Sequence, residues 1–314
     1  MKHARFICLC ILWVPKIDNI SGKMCIFVRP KKLIPMREDL IPFLQRAFAE
    51  DIGDGDHTTL SSIPVDTMGK SRLIIKEAGV VAGVEVAKEV FHYFDPELKV
   101  TEFIKDGSDV MPGDVVFEVD GRVHSLLQTE RLMLNIMQRM SGIATVTRKY
   151  VKELEGTHTR VLDTRKTTPG MRLLEKEAVK LGGGVNHRIG LYDMILLKDN
   201  HVDFAGGIEN AIHRAQDYLK TKGKDLKIEI EVRSLEELER VMNVGGVDRI
   251  MLDNFDLRTT REAVKRIDGN YETESSGGIT FSTLRQYAEC GVDYISVGAL
   301  THSVKSLDIS FKAV

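Results

Sequence analysis

Cysteine is scarce in this chain, and it is placed where it can do little for a fold. There are four in 314 residues, and Cys8, Cys10 and Cys25 crowd into the first 25 positions. No C-x-x-C pair occurs, so the pattern offers neither a disulfide framework nor a zinc site and indicates a reducing compartment. A basic excess is also lacking. Lys plus Arg number 44 against 46 Asp plus Glu, a net charge of −2, which argues against a nucleic-acid partner. No run approaches 18 consecutive apolar residues, so no transmembrane helix and no membrane partner are expected. What is present is ordinary: 43% hydrophobic and 29% charged residues, enough to build packed cores. At roughly 150 residues per domain the length favours two. The class that remains is a two-domain, soluble, cytoplasmic α/β protein, with an enzyme expected.

Residues 1–36 stand apart. Lys2, His3 and Arg5 precede an apolar run from Phe6 to Val14, in the manner of a secretory leader. Pro15-Lys16-Ile17-Asp18-Asn19 follows, without a small-x-small cleavage site. The expectation is a disordered leader or a mis-assigned start, with Met24 or Met36 as the working start. Leu40, Phe43, Leu44, Ala47 and Phe48 then take helical spacing. The Asp51–Asp56 stretch has a faint calcium-loop pattern but reads as a turn, because the helix–loop–Glu context is missing.

Two rhythms follow. From Lys70 to Arg122, β-like runs at 72–76 and 114–119 flank a helix over 84–94. A Leu/Met-rich helix then runs from Ser125 to about Met140, with a break expected near Ser141-Gly142 and a continuation to about Leu154. After residue 158, short apolar strands alternate with polar or glycine loops and helices. The strands are expected at 160–163, 194–197, 228–232, 249–252, 271–275 and 294–297. Ser234-x-x-Glu237 and Thr259-x-x-Glu262 read as capping boxes, and Gly245 and Gly291 as helix C-caps. Repeated βα units predict parallel strands closed, or nearly closed, into a barrel.

In such a barrel the C-terminal strand ends face the active site. Those ends carry Asp163-Thr164-Arg165-Lys166, Lys198, Glu231, Asp253-Asn254, Ser275-Ser276-Gly277-Gly278 and Ser296-Val297-Gly298. Each is polar or glycine after an apolar run. Lys198 needs an anion to offset its desolvation, and an ion pair with Glu231 or Asp253 is the plain structural alternative. Glu231 and Asp253 end neighbouring strands, so they could hold Mg²⁺ together with phosphate oxygens, or could serve only as partners of the lysines. The glycine turns after the last strands let backbone N–H groups approach a phosphate, although each alone could be a plain tight turn. The 182–188 segment, Gly-Gly-Gly-Val-Asn-His-Arg, delivers His187 and Arg188 together. Arg165, Lys166, Arg188 and Lys198 thus make a cationic face in a slightly acidic protein, which predicts a small, highly anionic ligand.

These motifs resemble the quinolinate phosphoribosyltransferase family, also called nicotinate-nucleotide pyrophosphorylase (carboxylating). The resemblance rests on Thr129-Glu130-Arg131-Leu132-x-Leu134-Asn135, Ser141–Thr145, Asp163–Gly170, Gly182–Arg188, Leu197–His201, Glu231-Val232, Leu252–Phe255 and Glu274–Gly278. It runs from about residue 37 to the C-terminus. It implies an N-terminal α/β sandwich domain (37–157), an open, incomplete α/β barrel of the type II phosphoribosyltransferase kind (158–298), and a C-terminal tail (299–314) packing back on the first domain. The implied reaction joins quinolinate and phosphoribosyl pyrophosphate to give nicotinate mononucleotide, pyrophosphate and CO₂. The resemblance further implies a homodimer in which Arg131 reaches the partner's site. Arg131, Arg165, His187, Arg188 and Lys198 would hold the two carboxylates, with Thr164 and Lys166 nearby. Lys166, Lys198, Glu231 and Asp253 are the implied catalytic set, Glu231 and Asp253 the Mg²⁺ ligands, and Ser276-Gly277-Gly278 with Ser296-Val297-Gly298 the 5′-phosphate cradle. The alternatives are a nicotinate-type phosphoribosyltransferase, a metal-associated paralogue, and a non-catalytic phosphoribosyl-ligand sensor.

Overall fold

The computed structural model describes residues 37–314 as one unit. The readings of the leader and of Cys8, Cys10 and Cys25 lie outside the described residues. The described residues open with α1 (Ile41–Ile52) and α2 (His57–Ser62). The expected turn before residue 57 ends in an N-cap: Asp56 accepts the Thr59 N–H at 3.1 Å, so an acidic residue that reads as turn chemistry starts a short helix. Next come β1 (Met68–Ile75), β2 (Gly79–Val80), α3 (Val84–Phe94), β3 (Lys99–Glu102), β4 (Asp109–Val110), β5 (Val115–Arg122) and α4 (Val123–Glu153).

β1 lies at the centre of an antiparallel sheet. Its neighbours are β5 and the C-terminal strand, Ile309–Ala313, and β3 adds to the far side of β5. The tail is therefore the edge strand of the first domain. Phe91 of α3, Phe117 of β5 and Phe311 of the tail meet at ring distances of 6.0–6.4 Å, and this aromatic cluster seals one helix layer onto the sheet.

α4 runs unbroken for 31 residues, about 46 Å at 1.5 Å per residue. The expected interruption at Ser141-Gly142 is corrected. Ser141, Gly142 and Thr145 are a close-packing face. Ser141 Oγ accepts the Ala82 N–H at 2.9 Å, and Thr145 Oγ1 accepts the Val80 N–H at 2.8 Å. The backbone of Lys305 crosses directly over Gly142, where any β-carbon would collide with its carbonyl oxygen. Small residues within a helix mark close approach here, not a stop.

The second half adds β6 (Arg160–Leu162), α5 (Arg172–Leu181), β7 (Ile195–Leu197), α6 (Asp199–Ala205), α7 (Ile208–Lys222), β8 (Ile228–Val232), α8 (Leu235–Val244), β9 (Arg249–Asp253), α9 (Leu257–Ile267), β10 (Glu272–Ser276), α10 (Phe281–Ala288), β11 (Tyr294–Ser296), α11 (Ala299–His302) and β12 (Ile309–Ala313). Each expected barrel strand is present to within a residue or so. Ser234 caps α8, accepting the Glu237 N–H at 3.1 Å, and Gly245 is its C-cap. The second capping box is corrected: α9 starts earlier, and Asp256 accepts the Thr259 N–H at 2.7 Å, so Thr259 lies inside the first turn. Gly291 lies beyond the C-cap of α10, which is Glu289.

The six strands form one parallel sheet in the order β6-β11-β10-β9-β8-β7. Read as a circle, this is chain order with a gap between β6 and β7. Val185 bridges to Leu162 on the open side of β6, so the 182–194 segment stands in the gap. His187 Nε2 reaches Glu229 of β8 at 3.1 Å. A flat sheet would separate these groups by several strand spacings, so the sheet is curled into an open barrel. Its core is layered: Ile228, Ile230 and Val232 face one side of β8, while Glu229 and Glu231 take the alternate positions that share a face with Lys198 and Arg249. Among the described residues no helix is long and apolar enough to cross a membrane.

Gly142→Ala is expected to lower stability by about 1–3 kcal/mol through overpacking against Lys305, even though alanine is the better helix former. Urea unfolding of the two proteins measures this, and an equal or higher midpoint for the variant would contradict the crossing.

Candidate active site

The site is assembled from the β6 loop, the gap segment and the ends of β7–β11. Asp163, immediately after β6, is buried. It receives the Lys176 ammonium of α5, the Asn186 Nδ2–H at 2.5 Å and the His187 N–H at 2.9 Å. Lys176 also donates to the His187 carbonyl at 3.0 Å. One carboxylate therefore fixes the gap segment against the barrel. Arg172 joins the two cation-bearing loops: its guanidinium donates to Thr167 Oγ1 at 3.1 Å, the Ile189 carbonyl at 3.2 Å and the Arg165 carbonyl at 3.4 Å. Asp163, Lys176 and Arg172 were not assigned roles from sequence. Asp163 opens the 163–170 motif and Arg172 lies two residues beyond it, but only the fold shows what they hold.

The cations converge. Arg165 lies close enough to oppose the charge of Arg188, and with burial it holds that guanidinium below its ordinary range. Arg188 donates to the Met194 carbonyl at 3.2 Å. Lys198 Nζ donates to Glu231 Oε2 at 2.8 Å, and its backbone N–H to His201 Nδ1 at 3.0 Å. The fields of Arg188 and Lys198 both reach Glu229. The Lys166 stem passes against Gly298, where a β-carbon would come within 3.0 Å of it, and Thr164 Oγ1 accepts the Lys166 N–H at 3.1 Å. Lys166 therefore bridges the β6 loop to the loop after β11. Arg131 is exposed on α4 and lines a separate cleft of about 560 Å³ with Phe43, Asn135, Thr168 and Met171. It has no ion-pair partner among the described residues, and the structure does not bring it against the other cations.

Glu231 and Asp253 lie on the same face of neighbouring strands, Glu231 paired in register with Met251 and Asp253 two residues further along. Asp253 Oδ2 accepts the Asn254 side-chain N–H at 2.7 Å. Two carboxylates at an open barrel mouth are a hard-oxygen set that suits Mg²⁺ completed by phosphate and water. Both keep one oxygen outside these pairings, so the set fits the ion.

Ser276 and the glycine turns stand at the strand ends where a cradle was expected, with two corrections. The N–H groups of Gly277, Gly278 and Gly298 donate to no group among the described residues. Gly277 has φ +92°, and a β-carbon there would come within 2.9 Å of the Asn254 backbone nitrogen, so the turn admits only glycine. Val297 does not belong to the cradle, because its side chain is buried and its N–H donates to the Leu162 carbonyl at 2.9 Å. The Ser296 hydroxyl faces the Glu274 carboxyl in the barrel interior.

His187 is also corrected. Its ring does not open on the cation face. Nδ1 accepts the Arg188 N–H at 2.7 Å, and Nε2 lies 3.1 Å from Glu229 and 3.5 Å from Glu274, both fully buried. Arg249 donates to Glu274 at 3.1 Å and to Glu272 at 2.8 Å and stacks over Tyr294 at 4.2 Å. Sequence reasoning missed Glu229, Glu274 and Arg249; the signal available was the alternation of charge with aliphatics inside short strands. Burial pushes the His187 imidazole down, so it is neutral, and pushes both carboxyls up, Glu274 to about 8.

A group with a raised native pKa binds its proton in the fold but not in the unfolded chain. Stability from Glu274 is therefore present at low pH and falls as pH rises from about 4.5 to 8. Glu274→Gln is expected to flatten this slope by up to about 1.4 kcal/mol per pH unit. Denaturation at pH 5.5, 6.5 and 7.5 checks it; parallel curves for both proteins would count against a protonated Glu274.

With this geometry in view, comparison with known proteins is direct. The quinolinate phosphoribosyl transferase N-terminal domain matches residues 56–141, and the C-terminal domain of the same family matches residues 143–312. The chain is 44% identical over 289 residues to the chloroplastic nicotinate-nucleotide pyrophosphorylase [carboxylating] of Arabidopsis thaliana, covering 87% of this chain and 82% of that one. It is 44% identical over 267 residues to the probable nicotinate-nucleotide pyrophosphorylase [carboxylating] of Bacillus subtilis, covering 85% and 91%. The crystal structure of NadC from Streptococcus pyogenes superposes with a TM-score of 0.82 at 42% identity, covering 87% and 95%. Both halves of the fold, the site-bearing loops and these likenesses agree, and the chain belongs to the quinolinate phosphoribosyltransferase family.

Proposed function

We propose that this protein transfers phosphoribosyl from phosphoribosyl pyrophosphate to quinolinate with loss of CO₂, yielding nicotinate mononucleotide and pyrophosphate, and so serves NAD biosynthesis. The observation that carries the reading is Arg165 beside Arg188, Lys198 on Glu231 and Lys166 against Gly298, at strand ends that also present Asp253 and glycine N–H groups without an acceptor among the described residues. Guanidinium and ammonium donors suit a dicarboxylate. Free N–H groups at Gly277, Gly278 and Gly298 suit a 5′-phosphate.

In the chemical step the pyridine nitrogen forms a bond to the ribose anomeric carbon as the C–O bond to pyrophosphate breaks, its electron pair leaving with pyrophosphate. The carbon develops positive charge, which the Glu231 and Asp253 carboxylates stabilise. The ring carboxylate next to the nitrogen then leaves as CO₂. Its bonding electrons remain on the ring carbon beside the positive nitrogen, and a proton from solvent replaces it. Mg²⁺, when held by Glu231 and Asp253, supplies charge neutralisation to the departing pyrophosphate. Lys198 pairs with Glu231, so a substrate carboxylate beside it would share its ammonium and loosen its hold on Glu231. Lys166, bridging the β6 loop to the Gly298 loop, is placed to join the acceptor end of the site to the phosphate end.

A homodimer completes the site in this reading, with Arg131 acting in the partner's pocket. Its exposure and its lack of an ion-pair partner among the described residues support this. The free, buried Cys290 thiol suits a reducing compartment, and the cytoplasm is the one proposed.

The test is CO₂ release from carboxyl-labelled quinolinate with phosphoribosyl pyrophosphate and Mg²⁺, with and without chelator. Chelator-sensitive release matched mole for mole by nicotinate mononucleotide is expected. Glu231→Ala and Asp253→Ala are expected to lower kcat by about 10²-fold or more while quinolinate affinity changes far less. Undiminished turnover in both variants would remove the roles assigned to them. Turnover of nicotinate in place of quinolinate would move the substrate assignment.

A further inference from the structure

The 165–168 segment after β6 is largely exposed and belongs to neither strand nor helix, yet it carries Arg165 and Lys166. Two buried side chains from other elements hold its backbone. Thr301 of α11 is fully buried, and its hydroxyl donates to the Lys166 carbonyl at 2.9 Å. The Thr301 N–H donates to the Gly298 carbonyl at 3.1 Å, and the Lys166 stem passes over Gly298. Main chain and side chain of Lys166 are therefore both seated on the turn after β11. Glu175 of α5, also fully buried, accepts the Thr168 N–H on Oε2 at 3.1 Å. The C=O of one peptide and the N–H of the next are thus fixed, and planar peptides leave the chain between them little freedom.

Arg139 of α4 stands behind both. Its Nε and Nη2 donate to Glu175 Oε1 at 3.0 Å. Nη2 also donates to the Thr301 carbonyl, and Nη1 to the Val304 carbonyl at 3.3 Å. One planar fork thus spans α5 and the chain after β11, which the single ammonium of a lysine does not reproduce. The reach exists because Lys305 crosses α4 at Gly142, three residues beyond Arg139. A buried carboxylate is costly in a core, and here each of its oxygens is committed, Oε1 to Arg139 and Oε2 to the loop.

We infer that Thr301 is a positioning residue for Lys166, supported by Arg139 and Glu175, and that it holds the lysine between the acceptor end and the phosphate end of the site. The inference rests on the phosphoribosyl-transfer reading above and on the place that reading gives Lys166. Thr301 and Glu175 are fully buried, so they act through the loop and not on substrate. Arg165 is held differently, by the Arg172 guanidinium on its carbonyl. Removing the Thr301 hydroxyl therefore releases Lys166 and leaves Arg165 beside Arg188. Lys166 is exposed, so water takes up its carbonyl in place of the hydroxyl. The fold tolerates that exchange, and what is lost is the fixed direction of the lysine.

The test is a double-mutant cycle on CO₂ release from quinolinate, with wild type, Thr301→Val, Lys166→Ala and the double variant. Enzyme in excess over labelled substrate keeps the slow variants measurable. Thr301→Val, close in shape to threonine, is expected to lower kcat about tenfold, with KM for quinolinate within about threefold. Thr301→Ser keeps the hydroxyl and is expected to stay within about threefold of wild type. In the Lys166→Ala background, Thr301→Val is expected to change the rate by less than about twofold, because the group it positions is already gone. Several results would overturn the inference: unchanged kcat in folded Thr301→Val, Thr301→Ser as impaired as Thr301→Val, unimpaired Lys166→Ala, or the same loss from Thr301→Val with and without Lys166. Should Thr301→Val fail to fold, Arg139→Lys takes its place in the cycle. It keeps a cation for Glu175 and gives up the fork on the Thr301 and Val304 carbonyls, and the same dependence on Lys166 decides. Wild-type turnover separates the two levels. If wild type releases CO₂ from quinolinate and the two losses multiply, the positioning role alone falls; if wild type does not use quinolinate, the functional reading falls and the inference with it.

Discussion

The buried Asp163 carboxylate is the constraint on which the site depends. It lies at the end of the first barrel strand and accepts from α5 through Lys176 and from the gap segment through Asn186 and the His187 N–H. Burial pushes the Asp163 carboxyl up and the Lys176 ammonium down, so desolvation opposes the charge on both partners. Such a pair contributes specificity of arrangement more than net stability. The arrangement it selects is the one that matters: a barrel left open between β6 and β7, with its gap filled by a segment whose tip carries His187 and Arg188.

From that anchor the chemistry divides into two ends. The end proposed for the dicarboxylate is built from loops tied to β6 and the gap, with Arg172 clipping the Arg165 and Ile189 backbones together. The end proposed for the phosphoribosyl group is built from strand termini, where Glu231, Asp253 and the glycine turns follow directly from the register of β8, β9 and β10. Lys198 and Lys166 join the two, one through Glu231 and the other over Gly298. Like charges crowd the acceptor end, and Arg188 is held below its ordinary range by burial and Arg165. In the proposed reading, a ligand of two negative charges would offset the positive charge the fold concentrates there.

The first domain contributes in a different way. α4 runs its full length because its small residues admit the Val80–Ala82 backbone on one side and the Lys305 backbone on another. This fixes the chain leaving the barrel, which then pairs as β12 with β1. The two sheets are therefore stitched by the C-terminal segment as well as by α4. Arg131 projects from this helix into a cleft of its own, apart from the acids and cations of the barrel mouth.

Much of this was legible in the residues. Short apolar strands with polar ends pointed to a parallel barrel and to the face where its strand ends gather, because the two-residue strand period and the strand-end rule depend only on local pattern. Lys198, Glu231, Asp253, Arg165 and Gly277 could be named for the same reason. What pattern could not decide was direction and partnership across the barrel. His187 stands in an exposed-looking glycine loop in sequence but turns its ring inward, because Asp163 holds its N–H and Nδ1 takes the next N–H. Val297 stands in a phosphate-loop motif but spends its N–H on Leu162. Ser141-Gly142 reads as a break and is a crossing. Glu229 and Glu274 are 45 residues apart in sequence and belong to one network with His187 and Arg249. By itself the sequence determined the elements, their order and the chemistry available at the barrel mouth, since those follow from local periodicity and residue type. Only the tertiary structure decided which polar groups face substrate and which face one another, because that depends on the curl that brings distant strands within hydrogen-bond reach.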